Sequence, residues 1–219
     1  MVTIPEAAET IINRSRYLSE SMSKGIINIS ALARYIQPEL EEMLKKKASY
    51  AAIVMALNRL SAQIKPHYVQ NRIFKTKPDM IVRSNLAEIT VSHSESLIDK
   101  YSTLLKLSKP NSKYFFTITE GVFDTTIIAS LDLFGKIKKV LENEEIASEF
   151  NNLSSITIRL PKEAIQTPGI FYFFLKSLAW EGINIIEIVS AYLELTIILS
   201  EKETNRAFAI LQSLFDQDI

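Results

Sequence analysis

Apolar positions in the first third of the chain recur at helical spacing. Ala8, Ile11, Ile12, Leu18 and Met22 predict one helix from Pro5 to Ser23, with Lys24-Gly25 as its stop. Ser30 can cap a second, Ala31 to Ile36, because its hydroxyl can accept from a free first-turn N–H. Pro38 suits the first turn of a third, Glu39 to Lys46, where its missing N–H would have no partner. A fourth, Ser49 to Ile64, carries Ala52, Ile53, Ala56, Leu57 and Leu60 on one face. Residues 1–64 therefore read as an all-helical unit. Residues 65–79 are polar and basic with Pro66 and Pro78 near their ends, which predicts a connector containing a short strand around Tyr68 to Phe74.

From Met80 the period changes from helix to strand. Met80-Ile81-Val82 and Ala87 to Val91 read as β segments, Ser96 to Leu107 as a helix, and Tyr114–Thr119 with Phe123–Ala129 as a hairpin around Glu120-Gly121. Leu131 to Leu141 returns to helix. The order βαββα then repeats: Ser155–Leu160 strand, Gly169–Trp180 helix, Ile183–Val189 and Leu193–Leu199 strands, Glu201–Leu214 helix. The period is roughly 70 residues and shows in element order more than in residue identity. Glu145 to Leu153 is long enough to be the fourth strand of the first copy and to run into the second. The second copy has only Asp216 to Ile219 left, so its fourth strand must come from another segment or another chain. The fold class is α+β, with domains at 1–64, 80–152 and 153–219.

Composition narrows the chemistry. The chain of 219 residues has no cysteine, which excludes disulfides, thiolate metal sites and cysteine nucleophiles. Its two histidines, His67 and His93, stand apart without metal-site spacing and read as surface or loop residues. The zero net charge conceals an uneven distribution: residues 1–78 hold twelve Lys and Arg against six Glu, a net +6 that the remainder balances with −6. The N-terminus MVTIPEAAETIINRSRY lacks the apolar core of a signal peptide, so a cytoplasmic location is expected. The five glycines are dispersed, and neither a phosphate loop nor a dinucleotide fingerprint is present.

The segments Ile156-Thr157-Ile158-Arg159-Leu160-Pro161, Thr167-Pro168-Gly169-Ile170, Leu178-Ala179-Trp180-Glu181-Gly182-Ile183-Asn184-Ile185, Ser190 and Glu194-Leu195-Thr196 resemble an ACT domain, in particular the C-terminal regulatory repeat of aspartate kinases. The resemblance covers about 60 residues, and more weakly the tandem from Met80 onward. It implies two ferredoxin-like βαββαβ repeats with antiparallel sheets and a ligand site at Gln166, Thr167, Gly169, Ile170 and Asn184. Physically, a Pro-Gly turn ahead of a helix presents backbone N–H groups where the dipole favours a carboxylate, and an amide at Asn184 offers both donor and acceptor. Ligand-binding members often carry Asp or Asn where this chain has Gln166. Pro168-Gly169 is also simply a good strand-to-helix turn. The first copy has Ser92-His93-Ser94 in place of Pro-Gly, which marks it as a degenerate structural partner. The family's habit of pairing repeats, together with the uncovered edge, implies a homodimer.

The helical unit admits a helix-turn-helix reading in which Ser49–Ile64 enters a major groove. Lys45, Lys46, Lys47, Tyr50, Asn58, Arg59 and Gln63 are the candidates for DNA contact; a solvated helix end and an exposed helix face explain the same residues equally well. The connection from Ile36 to Ser49 is longer than the usual turn of that motif. Two non-catalytic functions remain: a ligand-responsive transcription regulator binding DNA, or a regulatory subunit whose helices dock on a partner enzyme. An aspartate kinase is disfavoured, because the resemblance covers the regulatory end alone. No metal and no cofactor is expected; an amino acid is the expected effector, and no membrane association is expected.

Overall fold

In the computed structural model, residues 2–64, 73–74, 76–107 and 113–215 are described, and the chain divides into two compact units, Met1–Tyr68 and Val69–Ile219. The first contains α1 (Ile4–Arg14), α2 (Arg16–Ser23), α3 (Ile29–Leu44) and α4 (Tyr50–Gln63). Thr3 and Glu6 form a reciprocal capping box at the start of α1, with the Thr3 N–H donating to the Glu6 carboxylate at 2.8 Å. The single helix expected over Pro5–Ser23 is two. Ser15 leaves the helix at φ −107° and ψ 106°, and its hydroxyl caps α2 by accepting from the Leu18 N–H.

The two helices expected over Ala31–Ile36 and Glu39–Lys46 are instead one. Asn28, not Ser30, caps α3, accepting from the Ala31 N–H at 3.0 Å, and Pro38 lies in its interior. Proline there removes the bond a residue would give to the Arg34 carbonyl. The helix continues because Leu32, Ala33 and Ile36 before Pro38 and Leu40 after it are buried in one core. Lys45, at φ 53°, closes the helix in the left-handed region, and Ser49 caps α4 through the Ala52 N–H.

The second unit contains β1 (Met80–Ser92), α5 (Glu95–Leu107), β2 (Phe116–Glu120), β3 (Asp124–Ser130), α6 (Leu131–Val140), β4 (Ile146–Arg159), a 3-10 turn (Lys162–Gln166), α7 (Ile170–Trp180), β5 (Ile185–Ala191), β6 (Glu194–Ser200), a second 3-10 turn (Glu201–Glu203) and α8 (Thr204–Ser213). The strands make one antiparallel six-stranded sheet in the order β2-β3-β1-β4-β6-β5. The two β segments expected over Met80–Val82 and Ala87–Val91 are halves of a single strand. Its first half pairs with the end of β4, Met80 opposite Ile158 and Arg83 opposite Ser155, and so supplies the fourth strand of the second repeat. The first half of β4 does the same for the first repeat, Ser148 pairing with Thr90 and Ile146 with Val91. Of the two sources expected for the missing strand, another segment or another chain, it is another segment, and among the described residues the edge strands are β2 and β5. Residues 216–219 lie outside the described ones.

A local two-fold runs between these long strands. Leu86 faces Leu153, and each follows an asparagine in the left-handed region, Asn85 at φ 61° and Asn152 at φ 56°, a conformation asparagine tolerates better than most residues. Each strand carries one extra residue here, and a bulge shifts side-chain alternation by one. Met80 therefore shares a core with α7 and α8 while Ala87, Ile89 and Val91 share one with α5 and α6. Both helix pairs consequently lie on the same face of the sheet. The threonine pairs Thr90–Thr126, at 3.0 Å, and Thr157–Thr196, at 2.8 Å, obey the same symmetry.

The helix-free face carries a third core. Leu86, Ile128, Leu153 and Ile198 are at most 2% exposed and pack with Phe115, Ile186 and Val189. Glu88 of β1 is buried on this face, where Glu187 of β5 acts on it electrostatically. Ahead of β1, Ile73 is buried in the second repeat's core, and the Phe74 ring packs on Phe173, Phe174 and Phe215 at 6.4, 5.9 and 5.0 Å. The strand expected around Tyr68–Phe74 falls mostly outside the described residues, as does His67. Among the described residues no helix is long and apolar enough to cross a membrane.

Candidate functional site

In the second repeat the chain leaves β4 through Pro161, makes the Lys162–Gln166 turn, and enters α7 through Gly169. Gly169 sits at φ 86° and ψ 8°, a conformation that suits glycine and strains residues with a Cβ. It also has no side chain to cap α7, so no oxygen from the N-cap position answers the helix's first-turn N–H groups. A cavity of about 410 Å³ opens at this point, lined by Leu160, Ala164, Ile165, Thr167, Gly169, Ile170, Phe171, Tyr172 and Tyr192.

Three of the residues implied by the ACT resemblance, Thr167, Gly169 and Ile170, line the cavity, whereas Gln166 and Asn184 are exposed and do not. The Thr167 hydroxyl donates to the Glu163 carbonyl at 2.7 Å, so it closes the turn. The apolar lining residues Leu160, Ala164, Ile165, Phe171, Tyr172 and Tyr192 were not anticipated. Tyr192 lies on the β5–β6 hairpin, brought against the loop by the Leu160 N–H donating to the Leu193 carbonyl at 2.7 Å. That contact is between distant segments and leaves no local signal.

The first repeat starts its counterpart helix on a serine cap in place of a glycine turn. Ser94 caps α5, accepting from the Leu97 N–H at 3.0 Å. Glu144, whose side chain is 2% exposed, accepts from the Lys100 ammonium at 2.5 Å, the Ser94 hydroxyl at 2.5 Å and the Ser96 hydroxyl at 2.7 Å. These partners, Lys100 foremost, hold its carboxyl down to about 2. Because the folded value is depressed, the stabilisation is present above the ordinary carboxylate value of about 4.5 and fades as pH falls toward 2. Lys100→Met should cost about 1–2 kcal/mol at pH 7 and much less at pH 2.5, measured by urea unfolding at both. His93, in the same loop, is exposed.

In the helical unit, Lys45, Lys46 and Lys47 form the exposed α3–α4 turn. Because α3 runs on to Leu44, the connection to α4 is Lys45–Ser49, not the longer Ile36–Ser49 stretch. Tyr50 is a brace between helices: its hydroxyl donates to the Ser30 carbonyl at 3.1 Å and accepts from Arg34 at 3.3 Å, with the guanidinium 5.9 Å from its ring centre. Asn58, Arg59 and Gln63 are exposed toward the other end of α4. The lysines and this polar stripe are thus separated by about 12–20 Å of helix.

No protein-family model matches the sequence, and no curated protein does. Solved structures do match. Clostridium acetobutylicum aspartate kinase is 17% identical, with 64% of this chain and 35% of that chain covered and a TM-score of 0.53. A structure of aspartokinase alpha and beta subunits is 15% identical over 65% of this chain and 100% of that one, TM-score 0.53. The ligand-free regulatory subunit of Thermus thermophilus aspartate kinase is 15% identical over 63% and 97%, TM-score 0.51. This chain therefore spans about a third of the Clostridium kinase and nearly all of the Thermus regulatory subunit. The Val69–Ile219 unit has the tandem ACT-like fold of aspartate kinase regulatory regions.

Proposed function

We propose that the protein is a non-catalytic regulatory sensor, cytoplasmic and dimeric, in which the second ACT-like repeat binds a small metabolite of the amino-acid class and the helical unit delivers the output. The observation that carries this is the asymmetry of the two helix starts: Ser94 caps α5 in the first repeat, while in the second the left-handed Gly169 makes no such cap and borders a cavity. The coverage of whole regulatory subunits supports a regulatory role, and nothing in the cavity's lining resembles a nucleophile paired with a base.

Two outputs follow from different observations. The basic turn Lys45–Lys47 and the exposed Asn58, Arg59 and Gln63 favour DNA, while the match to a separate regulatory subunit favours a partner enzyme. Fluorescence anisotropy of the full chain with a random DNA duplex separates them. For DNA, affinity should fall steeply as salt rises from 50 to 200 mM, and Lys46→Glu with Lys47→Glu should weaken it at least tenfold. Undetectable binding at the lowest salt removes DNA and leaves the enzyme subunit.

A further inference from the structure

We propose that the helical unit enters the major groove of double-stranded DNA with α4, placing Arg34 and Lys45–Lys47 on one phosphate backbone, Arg59 on the other, and Met55 and Asn58 over the base edges between. The inference rests on the DNA output named above and assigns its geometry. The first observation is charge. From Met43 to Pro78 the chain holds eight Lys and Arg and no Asp or Glu, a run of one sign that suits a polyanion. Helix α4 itself carries no acidic side chain.

The second observation is how α3 presents α4. The connection Lys45–Ser49 is short, close to the roughly 3–4 residue turn that joins DNA-reading helix pairs. Leu32, Ala33, Ile36 and Leu40 of α3 share one core with Ile53, Ala56 and Leu57 of α4. That packing leaves Ala51, Met55, Asn58 and Ala62 exposed along one stripe of α4. The stripe is uncharged, so it can meet base edges without stranding a charge, and basic groups stand at both of its ends. At the helical rise, Arg59 lies about 15 Å along α4 from Ser49, comparable with the roughly 12 Å width of the groove between its two backbones.

Arg34 is a contact that the sequence pattern did not single out. Its guanidinium donates to the Tyr50 hydroxyl at 3.3 Å and lies 5.9 Å from that ring's centre, while Tyr50 donates onward to the Ser30 carbonyl at 3.1 Å. Arg34 is exposed, and a guanidinium has further N–H donors with which to meet phosphate oxygens. Tyr50 is the first residue of α4. It is thus a positioning residue, holding Arg34 at the end of α4 where Lys45–Lys47 also stand.

The test is fluorescence anisotropy of the full chain on a duplex selected from a randomised pool, on a scrambled duplex and on single-stranded DNA, each from about 50 to 200 mM salt. Expected is roughly tenfold tighter binding to the selected duplex than to single strands. Arg34→Ala should weaken duplex binding about three- to tenfold and lower the slope of log affinity against log salt by about one. Arg34→Lys, which keeps the charge, should retain that slope. Tyr50→Phe should weaken wild-type binding yet add nothing to Arg34→Ala, because it acts through Arg34. Asn58→Ala should cut the preference for the selected over the scrambled duplex about tenfold. Duplex binding that Arg34→Ala leaves unchanged in strength and slope overturns this geometry while the DNA reading stands. Single strands bound as tightly as duplex, or a preference that survives Asn58→Ala, overturn the groove contact. Absence of binding to any DNA at the lowest salt overturns the geometry and the DNA reading together, and leaves the partner enzyme.

Discussion

Replacing Phe174 by alanine is expected to lower the stability of the α+β unit by roughly 3–5 kcal/mol, the usual cost of emptying a large aromatic site in a close-packed core. Phe174 is 0% exposed and lies in the second repeat's core among Ile156, Ile158, Leu195 and Leu211, with Phe74, Phe173 and Phe215 against its ring. The informative part is where the loss appears. Because β1 and β4 each belong to both repeats, the first repeat cannot keep its sheet once the second has melted. Amide exchange should therefore show protection falling together in β3 and β6, at opposite sides of the shared pair. Loss confined to β5, β6, α7 and α8, with β3 unchanged, would mean that the repeats fold independently.

Glu88→Gln should do the opposite and stabilise the protein, by about 2–3 kcal/mol at pH 8. Glu88 is 4% exposed on the helix-free face, and its Oε2 has no hydrogen-bond partner among the described residues. Burial, with a smaller contribution from Glu187, pushes its carboxyl from 4.5 up to about 7. The sign follows: a raised folded value makes the stabilisation fully present below about 4.5 and lost as pH rises through about 7. Wild-type stability should thus decline between pH 4.5 and 8 through this group, and the glutamine variant should lack that component. Denaturant unfolding of both proteins at pH 5 and pH 8 checks it; equal differences at the two values would show that Glu88 has found a partner.

The sequence made the element types legible because strands and helices here have clear periods: Ile156, Ile158 and Leu160 alternate, and Leu133, Phe134 and Ile137 recur at helical spacing. Boundaries were less legible wherever tertiary packing overrode a local signal. Pro38 is a helix starter by propensity, yet here Leu40 beyond it shares a core with Ile36. Ser15 carries no strong breaking signal, yet it ends one helix and caps the next. The joining of Met80–Val82 to Ala87–Val91 was hidden by polar Arg83-Ser84-Asn85, which interrupts the apolar pattern where the strand bulges. The asparagine signature of the two-fold, Asn85-Leu86 and Asn152-Leu153 each followed after two intervening residues by Ile-Thr, was present in the sequence all along.

At the candidate site, the Pro-Gly turn was legible because a left-handed glycine before a helix has a local cause. The apolar wall was not, because Tyr192 and Ile165 meet it only through the fold. Glu144 likewise stands about 50 residues from the serines it binds, and no local pattern relates them.

The crossing of β1 and β4 has a consequence for how such a protein could arise and be taken apart. Each βαββα half lends a strand to the other, the arrangement two identical chains adopt when they exchange an arm. A polypeptide beginning at Ile146 would contain every motif that makes the second repeat recognisable and still lack Met80–Arg83, the strand that completes it. Such a fragment is expected to recover its missing strand only from a second copy of itself. The unit that can be inherited, transplanted or grafted onto another protein is the pair, and a single repeat cut from it is half of a dimer.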